Sequence, residues 1–312
     1  MPSPIQEGGA SVVMKFAVLG NLTVDIIRTP EGTMRTIGGS ACYCGLTANK
    51  LNYETHILTR IGRDYDADWL NQLRAVGVKL NIEYSRSTTV FENVYAKGGR
   101  TQLIRGDAGA IRKLPSEILG CDIIHIGPVF SEVPLNILSK VSGKFVSLDV
   151  QGFIRKGKGN RVQHKFWSRR NEFLKHVKIM HVGADEARFA VRKRCRELMD
   201  LGPEMIAITD SRRGSYLLFE GSSEYVPAFP ARTVDQTGAG DVYTTALAIR
   251  YLETGDPVES GYFASAAASF VVEDWGPRRL GTREEIEGRK ELLEEGVCVR
   301  GRFHLPPPLK IE

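Results

Sequence analysis

Cysteine is scarce in this sequence and does not pair up. Five residues, Cys42, Cys44, Cys121, Cys195 and Cys298, are scattered over 312 positions. An odd, dispersed set offers no disulfide framework and is the pattern of reduced intracellular thiols. Cys42 and Cys44 are one residue apart, which suits neither a CxxC redox pair nor a zinc site lacking further ligands. On a helix they read as small packing residues. The histidines His56, His125, His164, His176, His181 and His304 show no HxxxH or HExxH spacing, so a protein-bound zinc ion is not expected. No apolar run reaches the ~20 residues that span a bilayer. The opening residues Met1–Ala10 lack the charged and apolar regions of a signal peptide, and a cytoplasmic protein with no membrane partner is expected. Neither sign of charge dominates: 42 basic residues face 37 acidic ones, and no basic run is interleaved with aromatics. Nucleic acid is therefore not an expected partner. No Gly-x-x-x-x-Gly-Lys-Ser/Thr string is present, which excludes a P-loop, and no Gly-x-Gly-x-x-Gly follows the first strand at Gly20.

What is present has the balance of a soluble globular chain, 42% hydrophobic and 25% charged. Its length supports one large α/β domain or two modest ones. Residues 1–13 read as a frayed tail. Phe16–Gly20 is a short apolar run ending in glycine, a buried strand entering a loop. Thr55–Thr59, Asp122–Ile126, Lys144–Leu148, Lys178–His181 and Met205–Thr209 read as further strands. Helical patterns at Ser40–Leu51, Asp66–Val76, Pro134–Val141, Asp185–Met199 and Ala239–Leu252 alternate with them. That alternation predicts a mainly parallel sheet covered on both faces, with ligands at the carboxyl ends of the strands. Asp25–Ile37 and Glu83–Ile104 break the rhythm by alternating polar and apolar residues with no intervening helix. Thr88–Tyr95 followed by Lys97-Gly98-Gly99-Arg100 reads as a hairpin with a glycine turn. A small antiparallel sheet of this kind could be a lid or an oligomer interface, and the two are compatible. The His304–Leu309 tail is polyproline-like.

The most informative stretch is Val234-Asp235-Gln236-Thr237-Gly238-Ala239-Gly240-Asp241, followed at once by the apolar run Val242–Ile249. Gly238, Ala239 and Gly240 bring the backbone through a tight turn into a buried helix. Unpaired amides and the positive helix end favour an anion at that point. Asp241 then sits beside an anion hole, the place for a general base in phosphoryl transfer to a hydroxyl. A plain turn with a dipole partner would use similar residues. The complete Asp-x-Thr-Gly-Ala-Gly-Asp string, however, resembles the signature of the ribokinase/PfkB-type carbohydrate kinases. The resemblance runs from about residue 14 to 290.

The resemblance implies a ribokinase-like three-layer α/β/α sandwich with a mainly parallel sheet and a small β-sheet lid. The expected divisions are a core of residues 14–24, 38–82 and 105–290, a lid of 25–37 and 83–104, and a tail of 291–312. It also implies ATP and Mg2+ as cofactors, a small sugar or polyol as substrate, and a possible homodimer through the lid. Asp25, at the end of Gly20-Asn21-Leu22-Thr23-Val24-Asp25, falls where the family binds sugar hydroxyls, which suits a carboxylate. Gly38 and Gly39 resemble the diglycine that closes on substrate.

Tyr43 stands where the family usually has an asparagine, a departure that weakens a ribose reading. A phenol with an apolar face suits a ring such as a cyclitol. Asp149-Val150-Gln151-Gly152-Phe153-Ile154-Arg155 resembles the corresponding string of archaeal myo-inositol kinases, with Gln151 in place of asparagine. Gln151 is expected on a substrate hydroxyl and Arg155 on the transferring phosphate. Glu186 matches the acid of the family's Asn-x-x-Glu, which organises water around magnesium, but Gly183 replaces its asparagine and Asp185 is a possible substitute. Thr209, Ser211, Arg212 and Gly214, with Thr237, Gly238 and Gly240, are expected on the nucleotide phosphates. The adenine is expected between the helix after Asp241 and the small residues Ala264–Phe270. The reading is an ATP-dependent polyol kinase, most similar to those acting on myo-inositol. A nucleoside kinase, served by lid aromatics such as Phe91 and Tyr95, another sugar kinase, and a non-catalytic sensor on the same scaffold are the alternatives.

Overall fold

A computed structural model describes residues 13–96, 99–191 and 195–296. Two sheets organise these residues. The larger has nine strands, β1 (Lys15–Leu19), β4 (Glu54–Gly62), β5 (Lys79–Ser85), β8 (Ile123–Ile126), β9 (Phe145–Asp149), β12 (Ile179–Gly183), β13 (Met205–Thr209), β14 (Ser215–Phe219) and β15 (Ser222–Val226). Their order across the sheet is β15-β14-β13-β12-β9-β8-β1-β4-β5. All pairings from β13 to β5 are parallel, and only the β13–β14–β15 meander is antiparallel.

The parallel strands are apolar on both faces because both faces are covered. Phe16 and Val18 of β1 enter one core while Ala17 and Leu19 enter the other. The first core is roofed by helices α1 (Ser40–Lys50), α2 (Ala67–Ala75), α7 (Ala239–Thr254), α8 (Pro257–Val271) and α9 (Arg283–Glu294). Four short helices, α3 (Ser116–Leu119), α4 (Leu135–Leu138), α5 (Arg170–Leu174) and α6 (Ala187–Ala190), contribute Ile118, Ile137, Phe173 and Ala190 to the second. The result is the expected three-layer α/β/α sandwich.

The smaller sheet contains β2 (Thr23–Thr29), β3 (Gly32–Gly38), β6 (Thr89–Ala96), β7 (Gly99–Gly106), β10 (Arg155–Lys158) and β11 (Arg161–His164), in the order β10-β11-β7-β6-β2-β3. The sequence patterns find four of these strands and miss the β10–β11 hairpin, which lies within the segment assigned to the core. That hairpin is short and rich in glycine and lysine, so it has no apolar alternation to read. Residues 83–85, expected in the smaller sheet, instead end β5 at the edge of the larger one.

The helix expected over Asp185–Met199 is not continuous. α6 stops at Ala190, Val191 is extended, and a 3-10 turn spans Cys195–Leu201. Residues 192–194, between the two, lie outside the described residues. The N-terminal tail up to residue 12, residues 97–98 of the glycine turn and the tail from residue 297 also lie outside them, while α9 carries the helical chain to Glu294. Cys42 and Cys44 are buried on α1, as packing residues should be. Among the described residues no helix is long and apolar enough to cross a membrane.

Candidate active site

The carboxyl ends of β9, β12 and β13, the amino end of α7 and the inner edge of the smaller sheet surround one cavity of about 520 Å³. Asp25, Gly39, Tyr43, Gln151, Arg155, Glu186, Thr209, Thr237, Gly238, Gly240 and Asp241, all predicted from sequence, line it.

The loop before α7 is built from its own side chains. Asp235 accepts from the amide (3.1 Å) and hydroxyl (2.8 Å) of Thr237, closing a turn. Gly238 then adopts a left-handed conformation, φ 81°, and starts the helix without a side-chain cap. Of the three amides expected to hold an anion, that of Ala239 donates to the Gln236 carbonyl at 3.3 Å. Two rings support this loop. A β-carbon on Gly238 would overlap the Tyr43 ring, and one on Gly240 would lie 3.0 Å from Cε1 of His181. Tyr43 itself is only 2% exposed, so it lines the cavity mostly as a buttress behind the loop.

Asp241 is buried in the first turn of α7. Gln151 Nε2 donates to its Oδ1 at 3.0 Å, and Arg155 Nη2 donates to Gln151 Oε1 at 2.8 Å. Arg155 also reaches the Val129 carbonyl at 3.2 Å. Gln151 is thus already engaged with the expected base, and Arg155 with Gln151. Burial, reinforced by the nearby Asp149 charge, pushes the Asp241 carboxyl up to about 7, with Ser40, His181 and Arg155 acting the other way.

Sequence reasoning missed the centre of this arrangement. His181, in the middle of β12, donates from Nδ1 to Asp149 Oδ2 at 2.6 Å and places Nε2 3.0 Å from Thr209 Oγ1. Asp149 Oδ1 accepts the Gln151 amide at 2.8 Å. For His181 burial would lower the pKa, but the charge and hydrogen bond of Asp149 outweigh it and raise it. For Asp149 burial acts upward, and His181 overrides it, keeping the carboxyl ionised. The available signal was a histidine interrupting the apolar run Ile179–Val182, with a carboxylate at the matching end of the neighbouring strand.

On the smaller sheet's side Thr23 donates to Asp25 Oδ1 at 2.7 Å. Gly38 does not line the cavity. It lies under Asp25, where any side chain would collide with the carboxylate. Asn93 and Gln102, joined by a 3.1 Å amide hydrogen bond, line this side of the cavity together with Phe91, Val162 and His164. Tyr95 is not among the lining residues.

Asp185 and Glu186 face the cavity beside Gly183, and burial raises the Glu186 carboxyl. Among the described residues no group of three or more His, Cys, Asp or Glu could hold a metal. A magnesium ion would therefore have to take most of its ligands from phosphate and water, which is its habit. Ser211, Arg212 and Gly214 lie apart from the cavity lining, in the turn joining β13 to β14. Gly214 is required there because a side chain would strike the Val226 carbonyl. Ala264, Ala266 and Ala267, read as room for an adenine, are fully buried where α8 packs into the core.

Comparison with known proteins agrees with this geometry. The profile of the family described as pfkB family carbohydrate kinase matches residues 14–282. A cytidine kinase of Thermococcus kodakarensis is 25% identical over 288 residues, covering 85% of this chain and 98% of its own. A ribokinase of Bacillus subtilis is 25% identical over 309 residues, covering 89% and 99%. A solved structure of a pyrophosphate-dependent kinase in the ribokinase family, complexed with a pyrophosphate analog and myo-inositol, aligns with a TM-score of 0.76 at 24% identity. It covers 88% of this chain and 99% of that one, a likeness of fold.

Proposed function

The chain belongs to the pfkB family of carbohydrate kinases, and from that premise we propose that it phosphorylates a small cyclic polyol, myo-inositol first among them, using Asp241 as general base. The observation that carries the reading is the buried Asp241 carboxylate at the mouth of the glycine loop, facing a cavity walled by Asp25, Asn93, Gln102 and Gln151. Such a wall offers acceptors and amide donors to a ring bearing hydroxyls on every side. Bound polyol presents one hydroxyl to Asp241, which takes its proton as the oxygen attacks the terminal phosphorus of the donor, whose bridging P–O bond breaks and releases the shortened donor (ADP from ATP). The amides at the start of α7 and the Arg155 guanidinium face the charge on the transferring group. The transition state is loose, so positioning outweighs base strength. A magnesium ion, when bound, would neutralise phosphate charge near Glu186 and Asp185. Thr209 and Thr237 face the donor. Ser211, Arg212 and Gly214 would meet a nucleotide only where it extends beyond the cavity. The smaller sheet would close over the substrate and exclude water.

A nucleoside substrate is the second reading, supported by the cytidine kinase relative and by Phe91, an aromatic wall set edge-on to Phe130. The donor has a second reading too, since the myo-inositol-bound neighbour is pyrophosphate-dependent.

The test is phosphorylation of myo-inositol, ribose, fructose, cytidine and other nucleosides with ATP or pyrophosphate as donor. Turnover of myo-inositol above the rest supports the proposal. Turnover of a nucleoside or furanose alone discards the substrate and keeps the mechanism. Binding without turnover across the panel favours a sensor.

A further inference from the structure

The cavity floor gathers three buried or half-buried carboxylates, Asp149, Asp241 and Glu186, at the place where a phosphate donor must also bring negative charge. Left alone, such a group would repel both itself and the donor. One ring is placed to prevent this. We propose that His181 is the fixed counter-charge of this floor, a positioning residue that keeps Asp241 able to accept a proton and the loop at Gly240 receptive to phosphate. The inference rests on the kinase reading above and adds a residue to it.

Three observations support it. Both ring nitrogens have an oxygen within hydrogen-bond distance, Asp149 Oδ2 at 2.6 Å and Thr209 Oγ1 at 3.0 Å, the arrangement a doubly protonated ring requires. The ring carbon between those nitrogens lies directly behind Gly240, so the charge is held at the anion loop. The ring is also 4% exposed, which protects its field from solvent screening.

The groups facing it from each side are Asp149 on β9, Asp241 and Tyr243 on α7, Glu186 ahead of α6 and His125 on β8, while Arg155 at β10 acts on Asp241 and Glu186. His125 is held neutral, lowered to about 4 by burial, so it does not share the task. Arg155 is committed to Gln151 and Val129, outside the Asp149 contact.

The experiment is the pH profile of kcat for the wild type, His181→Asn, Asp149→Asn and the double variant, with thermal melts of each. His181→Asn leaves Asp149 uncompensated beside Asp241. Its acid limb should move up by about one pH unit, with kcat at pH 7 down roughly fivefold and KM for the phosphate donor raised. Adding Asp149→Asn removes the uncompensated charge and should return the limb toward the wild-type position. Asp149→Asn alone should move it down or leave it in place, and this variant decides the matter should His181→Asn fail to melt cooperatively. A His181→Asn enzyme with an unmoved limb, or an Asp149→Asn enzyme whose limb rises, overturns the inference. Absence of activity in the wild type would instead overturn the kinase reading.

Discussion

Gly238 and Tyr43 are in such close contact that no side chain fits between the glycine Cα and the ring. The relationship explains two residues together. Gly238 needs a left-handed φ of 81° and a bare Cα, and Tyr43 supplies the surface on which the anion loop rests. Gly238→Ala should therefore lower kcat by roughly 100-fold or more through the displaced amides, and cost about 1–3 kcal/mol of stability. Tyr43→Phe separates buttress from substrate contact. A phenol donating to substrate is worth about 1 kcal/mol, roughly fivefold in KM. The buried ring points to a buttress, so Tyr43→Phe should change the polyol KM by less than about threefold. A tenfold rise would restore Tyr43 to the substrate.

The fold and the loop were legible in the sequence for different reasons. Parallel strands buried on both faces leave apolar runs, and the Gly238–Asp241 turn leaves a string of residue types that few backbones need. The β10–β11 hairpin was not legible because its residues, Arg-Lys-Gly-Lys and Arg-Val-Gln-His, form no pattern and are ordered by their neighbour β7. His181 was hidden for another reason. A lone histidine in a strand is uninformative until topology sets β9 beside β12 and pairs it with Asp149. Ser211, Arg212 and Gly214 illustrate the reverse, since small hydroxyls, arginine and glycine suit phosphate contact and an ordinary turn equally well.

Asp241→Asn tests the chemistry directly. Asparagine keeps the acceptor that Gln151 Nε2 uses, so the fold and substrate KM should hold. It cannot take a proton, and kcat should fall by roughly 100-fold or more. In the wild type only the ionised carboxylate is competent. With the Asp241 carboxyl pushed up to about 7 by burial and by Asp149, kcat should rise with pH through about 7 and level off above it. A rate already flat from pH 5 to 9 would mean that Asp241 is ionised throughout that range, whereas an Asp241→Asn enzyme with undiminished kcat would remove Asp241 from the proton-transfer step.

The substrate wall can be tested from the smaller sheet. Asp25 sits over Gly38 with Thr23 donating to it, which holds its carboxylate toward the cavity. Asp25→Asn should raise the polyol KM by about tenfold or more, because a charged acceptor is worth about 1.5–3 kcal/mol to a hydroxyl. Gln102→Leu removes the partner of Asn93 and should raise KM less, by about threefold to tenfold. The KM for the phosphate donor should be unchanged in both variants. A rise in donor KM of equal size would place these side chains on the phosphate side of the cavity.

The raised carboxyl of Asp241 also fixes how its substitution affects stability. An unfolded aspartate titrates near 3.8 and the folded Asp241 near 7. Between these values the folded chain holds a proton that the unfolded chain has released. The stability this contributes is complete below about pH 4 and disappears as pH rises through 7, where a buried charge must form. Asparagine carries no such charge at any pH. The melting temperature of Asp241→Asn should exceed that of the wild type at pH 8 by more than it does at pH 5, the difference amounting to roughly 3 kcal/mol in stability. Taking the difference between the two proteins at each pH cancels the other titrating groups, apart from those coupled to Asp241 itself. Melting curves at the two pH values decide it. A constant gap would mean that Asp241 is ionised across the range, its burial offset by His181 and Arg155. The acid limb of kcat should then fall well below pH 7 as well.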